Sequence, residues 1–161
     1  MVRNLWHDPH AKQKARTWTN GSTIDSTLSS DGVHWTYEMA DGYGTINPFA
    51  VDSKLSGVSP GMDVVCVACF EQLTWKLVRT SGLTVLMEDA DAGLTVVRHS
   101  VGDSSPMMWY PYWEAVAGEP LTVLGLAVYM PQAWTVVEEA WTAGVLPTPI
   151  ISYDLMPYPR G

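Results

Sequence analysis

The stretch DVVCVACF, residues 63–70, constrains the fold more than any other part of the chain. From Val64 onward it is apolar at odd and even positions alike. Successive residues of a strand point to opposite faces, so a strand of this kind must be covered on both and belongs in the middle of a sheet. LTVLGLAVYM (121–130) reads the same way, with Gly125 marking a bulge or a close approach. VHWTYEMA (33–40) instead alternates, Val33, Trp35, Tyr37 and Met39 against His34, Thr36 and Glu38, the pattern of a half-buried antiparallel strand. LTWKLVR (73–79), LTVLME (83–88) and LTVVRHSV (94–101) are separated by TSG and DADAG, which are turn chemistry. MMWYPYWEAV (107–116) carries Pro111, which confines it to an edge or a bulge. AWTVVEEAW (133–141) reads as a strand from its β-branched centre, with a short helix as the alternative.

Turns recur about every ten residues, the spacing of an antiparallel sandwich or barrel. The expected fold is all-β: an antiparallel β-sandwich of about eight strands, read as a jelly roll. Helix signal is confined to DPHAKQKAR (8–16), where Asp8 is a natural N-cap and Pro9 a natural first residue. Residues 1–16 are expected to form a basic N-terminal arm or short helix, residues 17–146 the sandwich, and residues 147–161 an extended proline-rich tail. Ile150, Ile151, Tyr153, Leu155, Met156 and Tyr158 give that tail apolar surface to lay on its own domain or on a neighbouring subunit.

With 161 residues, 47% of them hydrophobic and 16% charged, the chain suits one folded domain. No apolar run approaches the roughly 20 residues of a membrane-spanning helix. Charge and proline follow Met1 within nine residues, so no signal peptide is expected, which implies synthesis in a cytoplasm. Arg3, Lys12, Lys14 and Arg16 against Asp8 give residues 1–16 a balance of +3, whereas residues 17–161 stand at −11. An acidic body disfavours nucleic acid and anionic membranes as partners.

Catalytic signals are sparse, and no enzyme is expected. There is no GxSxG elbow, no Cys or Ser pairs with a His at a recognisable spacing, and DGYGTINP (41–48) reads as a turn rather than a phosphate loop. Glu138 and Glu139 are adjacent and on a strand would face opposite ways, so they make no acid–base pair. Cys66 and Cys69, three apart on a strand, also face opposite ways, which argues for two reduced core cysteines over a redox or zinc site. His7, Asp8 and His10 resemble a ligand cluster, but Pro9 between the histidines favours a capped helix start. No metal or cofactor is expected, with one exception considered. Glu88, Asp89 and Asp91 in MEDADAG carry a fragment of a calcium loop without its later bidentate Glu, and an acidic hairpin turn is the competing reading. Trp109, Tyr110, Tyr112 and Trp113 form the densest aromatic group. Strand alternation would put Trp109 and Trp113 on one face and the two tyrosines on the other, one pair in the core and one exposed, as a subunit interface or a platform for sugar rings.

Three segments carry a family likeness: RNLWHDPHAKQKARTW (3–18), LSGVSPGMDVVCVACF (55–70) with its G-x-x-P-G loop ahead of an apolar strand, and VVEEAWTAGVLPTPIISYDLMPYPRG (136–161) with a closing strand and proline-rich exit. On these the chain resembles the jelly-roll modules, similar to carbohydrate-binding modules, of virion proteins from phages that infect actinobacteria. The resemblance implies a non-enzymatic structural protein on the virion surface, made in the host cytoplasm. A free-standing module of this length would be a capsid decoration protein or a minor tail component. Its partners would be capsid or tail proteins and copies of itself, a trimer being the favoured homo-oligomer. Lys12, Lys14 and Arg16 in the arm, with Tyr153, Leu155 and Tyr158 in the tail, are the attachment candidates. The alternative is a carbohydrate-binding module that recognises host cell-surface glycans through Trp109, Tyr110, Tyr112 or Trp113. The resemblance carries no catalytic residue.

Overall fold

The computed structural model describes residues 2–50, 55, 57–103 and 108–151. Among them are ten strands and one helix: β1 Arg16–Thr19, β2 Ile24–Leu28, β3 Trp35–Met39, β4 Gly44–Asn47, β5 Asp63–Phe70, β6 Lys76–Leu77, β7 Thr84–Asp89, β8 Leu94–Ser100, β9 Trp113–Glu114, β10 Leu121–Tyr129 and α1 Pro131–Thr142. They build two antiparallel sheets, a small one in the order β1-β4-β9-β6 and a large one in the order β2-β3-β10-β5-β8-β7. The two-faced strand β5 is central in the large sheet, between β10 and β8. Val64, Cys66, Ala68 and Phe70 point inward from it and meet Ile46, Leu77 and Trp113 of the small sheet in one core. The molecule is therefore a sandwich.

The other face of β5 is what the helix is for. Val65 and Val67, with Leu94 and Val96 of β8 and Ala127 and Tyr129 of β10, are buried beneath Trp134 and Val137 of α1 and Ile151. The strand expected over 133–141 is thus a helix. Trp134, Val137 and Ala140 recur at helical spacing on its buried face, and Pro131 opens it. Burying side chains of this size contributes on the order of 2 kcal/mol each, against a few tenths per residue for the β preference of Thr135, Val136 and Val137. Tertiary cover wins. Beyond Thr142 the helix is closed off by a turn at Gly144, where Val145 N donates to Ala140 O and Gly144 N to Trp141 O. This paired closure requires the left-handed backbone that Gly144 supplies at φ 78°.

Gly125 has the role its sequence suggested. The β10–β5 register shifts between Val123 and Gly125. Leu121 and Val123 face the inner core before the shift, Leu126 and Val128 after it, so the bulge reverses the parity of inward positions. A Cβ at Gly125 would lie 3.0 Å from Ile150 Cδ1 and 3.1 Å from Pro9 O.

The N-terminal segment differs from expectation. No helix forms over 8–16. The Asp8 carboxylate does not cap the first turn of one; it accepts from Lys12 N at 3.0 Å and Gln13 N at 2.7 Å, while Ala11 takes a positive φ of 52°. These donors lie four and five residues on, where an N-cap serves the second and third. Nor do residues 2–15 hang free. Trp6, Ala11 and Ala15 are buried in the core, Leu5 N donates to Val128 O, and Leu126 N donates to Pro9 O. The segment lies beside the half of β10 beyond its pairing with β3, which ends at Val123. Ala15 N donates at 2.7 Å to the phenol oxygen of Tyr37, whose pKa burial pushes up to about 12. Two other expected strands shrink: 73–79 to Lys76–Leu77, and 107–116 to Trp113–Glu114. Of the expected tail, residues 147–151 are described, and Tyr129 Oη ties them down by donating to Pro149 O and accepting from Ile151 N. Tyr153, Leu155 and Tyr158 lie outside the described residues.

Candidate functional site

The aromatic group does not divide as alternation predicts. Trp113 is fully buried in the core, edge-on to Phe70 at 5.0 Å. Trp109 and Tyr110 are exposed, and Tyr112 is half-buried. Trp109 and Trp113 therefore do not share a face, and Trp113 is no surface ligand. The reason is local: only Trp113 and Glu114 are strand, and residues 108–112 run irregularly around Pro111, so a period of two does not extend through them.

What Trp109 and Tyr112 do join is an open groove of about 380 Å³ on the outer face of the small sheet. Arg16, Thr17 and Trp18 line it from β1, Thr45 and Asn47 from β4, and Tyr43 from the turn before β4. Register explains the grouping. Arg16 lies opposite Asn47 and Trp18 opposite Thr45, while the alternate position, Ile46, is buried beside Trp113. The sequence RTWT thus sends Arg16 and Trp18 outward together. Trp18 is 55% exposed and meets Tyr43 edge-on at 5.8 Å. The Arg16 guanidinium lies 4.7 Å from the centre of the Trp109 ring. Asn47 Nδ2 donates to Trp109 O at 2.9 Å, which fixes that segment against β4. Tyr110 and Tyr112 approach within 5.7 Å. Partial burial, then the neighbouring Tyr43, Tyr110 and Glu114, raise the Tyr112 pKa, so its hydroxyl remains a donor at neutral pH.

Sequence reading missed Trp18, Tyr43, Thr45 and Asn47. Alternation in RTWT pairs Arg16 with Trp18, but nothing in the linear pattern links residues 16–18, 43–47 and 109–112 before strand order is known.

The other candidates have other partners. Lys14 Nζ stands 5.9 Å from the Trp35 ring, and Lys12 O accepts from Trp35 Nε1, so Lys14 and Arg16 engage different aromatic rings. Glu88 pairs with Arg79, and Asp89 Oδ1 accepts from Asp91 N and Ala92 N to close the β7–β8 turn. Asp91 lines a second, polar cleft with Glu71. His7 Nε2 contacts Gln13 Oε1 at 3.1 Å. Glu138 and Glu139 are neighbours on α1 rather than on a strand. Cys66 and Cys69 are unbridged and point to opposite faces of β5, as expected.

The β5–β8 pairing adds what sequence spacing hid, a His beside Cys66. His99 Nδ1 lies 3.0 Å from Ser100 O, which makes Nδ1 the protonated nitrogen and leaves Nε2 to accept from the Cys66 thiol at 3.4 Å. Burial pushes the Cys66 thiol up and His99 down, so the pair is neutral and lacks the thiolate a nucleophile needs. Among the described residues no three His, Cys, Asp or Glu side chains group as metal ligands, and no helix is long and apolar enough to cross a membrane.

Set against family models, curated proteins and solved structures, the chain matches none. Its chemistry has to be read from the groove. Aromatic rings there offer C–H-binding faces and edges, Asn47, Thr45 and Tyr112 offer hydrogen-bonding groups, and Arg16 offers a cation. Such a mixture suits a flat ligand that is apolar on its ring faces and polar round its rim.

Proposed function

We propose that this chain is a non-enzymatic jelly-roll module that binds carbohydrate in the aromatic groove of its small sheet. A pyranose ring has the required form, with C–H faces for Trp18 and a rim of hydroxyls for Asn47, Thr45 and Tyr112. The groove is the observation that carries this reading. Strand order supports the fold name. The pairs β3·β10, β4·β9 and β5·β8 nest inside one another and fall alternately in the large, small and large sheets, as when a long hairpin rolls up. β7 departs from the pattern by pairing with β8 rather than β6. The sequence resemblance supports display on the surface of an actinobacterial phage particle, as a capsid decoration or minor tail protein.

The test is affinity electrophoresis and calorimetry against neutral and acidic oligosaccharides, with Trp18→Ala as the probe. Trp18 is exposed, so this variant should fold normally and lose glycan binding. Absence of binding to any glycan tested would overturn the reading.

One observation favours a second reading of the same surface. Exposed tryptophan, tyrosine and arginine are the residue types that dominate protein interfaces, so the patch suits contact with a capsid or tail protein, or with further copies of the chain in a trimer. In that case Trp18→Ala would reduce self-association by light scattering, or co-sedimentation with purified particles, and the unsubstituted chain would bind no glycan.

A further inference from the structure

We infer that the sugar taken by the groove carries a single anionic group, a carboxylate or a phosphate, seated on Arg16. This rests on the carbohydrate reading above and narrows its ligand class. Arg16 is the one full charge lining the groove among the described residues, and no carboxylate lines it. Glu114, opposite Thr45 on β9, stands outside that lining. Among the described residues Arg16 has no acidic partner: the ion pairs join Arg79 to Glu88 and Arg98 to Asp63. Its guanidinium rests instead over Trp109, and Trp109 is held to β4 through Asn47.

A guanidinium stacked on an indole keeps its in-plane N–H donors for an oxyanion, and the fork pairs two of them with two oxygens. The stacking also restrains the side chain, so less freedom is lost when an anion arrives. Overall charge sets the number of anionic groups. The chain carries −8, so a ligand charged on every residue is repelled by the body, while one charge in an otherwise neutral glycan meets the local cation. The occupant is therefore a mainly neutral oligosaccharide with one uronate-type or phosphorylated sugar.

Calorimetry with four probes tests this: a neutral trisaccharide, the same trisaccharide ending in a glucuronate, the methyl ester of that glucuronate, and the trisaccharide bearing a terminal 6-phosphate. The glucuronate or the phosphate form should bind at least tenfold more tightly than the neutral form, and whichever does identifies the anion. Where the glucuronate is preferred, its methyl ester should fall back to neutral affinity. Arg16→Gln should lower affinity for the preferred anion about tenfold to a hundredfold, the range for loss of a charge-assisted hydrogen bond, and should cost the neutral form less than the anionic one. Arg16→Lys, which keeps the charge without the fork, should recover only part of the loss. Equal binding of charged and neutral forms, with Trp18→Ala abolishing both, overturns the single-anion inference and leaves the carbohydrate reading standing. Failure of all four probes at millimolar concentration removes both.

Discussion

Asn4 is the residue on which the N-terminal segment is predicted to depend. It is 1% exposed and its amide is fully used. Nδ2 donates to Leu126 O at 3.2 Å and Ile151 O at 3.0 Å, while Oδ1 accepts from Trp6 N at 3.0 Å and Val128 N at 2.9 Å. One side chain thereby joins the N-terminal segment, β10 and the segment that follows α1. Asn4→Ala removes all four bonds and strands buried backbone groups. Each bond is worth about 1 kcal/mol net, and a buried group left unpaired costs about 1–3 kcal/mol. Partial relaxation at the domain edge sets the expected loss at roughly 3–5 kcal/mol, a large share of the 5–15 kcal/mol typical of a domain.

Asn4→Asp sharpens the test, because it preserves shape and the Oδ1 acceptor. At pH 7 its carboxylate would face the Leu126 and Ile151 carbonyls with no donor, so it should destabilise at least as much as alanine. Burial against two carbonyls raises the folded pKa of this carboxyl above its unfolded value of about 4, so the deficit should narrow as pH falls through the raised value towards about 4 and change little below it. Urea unfolding followed by tryptophan fluorescence and far-UV circular dichroism measures both variants. A fall in midpoint at constant slope reports a cooperative loss. A falling slope reports detachment of the segment with the sandwich intact. Asn4→Ala within about 1 kcal/mol of wild type, at unchanged slope, would refute the claim that this amide anchors the segment.

Three further outcomes are expected. Trp113→Ala should cost about 3–5 kcal/mol in the same assay, whereas Trp109→Ala should stay within about 1 kcal/mol, and similar losses for the two would contradict their separation between core and groove. Gly125→Ala should lower stability by about 1–3 kcal/mol, since its Cβ would crowd Ile150 and the Pro9 carbonyl that accepts from Leu126 N; thermal unfolding at or above wild type would show that the N-terminal segment yields freely. Burial lowers the His99 pKa in the fold, with Asp63, the Ser100 carbonyl and the Cys66 thiol as its neighbours. The unfolded chain then takes up a proton before the folded one does, so the stability due to neutral His99 is present above about pH 6.5 and lost as pH falls through the lower folded value. His99→Gln should flatten the stability profile between pH 7.5 and 5, and an unchanged profile would rule out this linkage.

The sandwich was legible because its signal is local. Two-sided apolarity placed Val64–Phe70 in the centre of a sheet, and alternation placed Tyr37 and Met39 inward from β3. Gly125 announced its bulge for the same reason. The failures are non-local. Nothing within residues 133–141 states that the outer face of β5 still needs a cover, and that need, rather than β propensity, makes the segment helical. Asp8 and Pro9 are good helix openers, yet the apolar positions Trp6, Ala11 and Ala15 are better satisfied against the core than along a solvated helix. At the site, Trp109 was found by its density of aromatic neighbours, while Trp18 and Tyr43, lone aromatics in polar surroundings, offered no such cue. His99 escaped notice because it lies 33 residues from Cys66 and meets it only through strand pairing.

The same layering explains why the groove lies where it does. In the middle of the large sheet β5, β8 and β10 give one face to the inner core and the other to α1 and Ile151, so a ligand there would cost packing. The small sheet gives only its inner face, through Ile46, Leu77 and Trp113, to stability. Its outer face carries polar and aromatic side chains, and Trp18, Tyr43 and Trp109 stand there exposed. Exposed aromatics grouped on one face raise the risk of unwanted association. Their grouping around Arg16, which has no acidic partner among the described residues, is the strongest reason to place binding on this face rather than at the basic residues of the N-terminal segment as a whole.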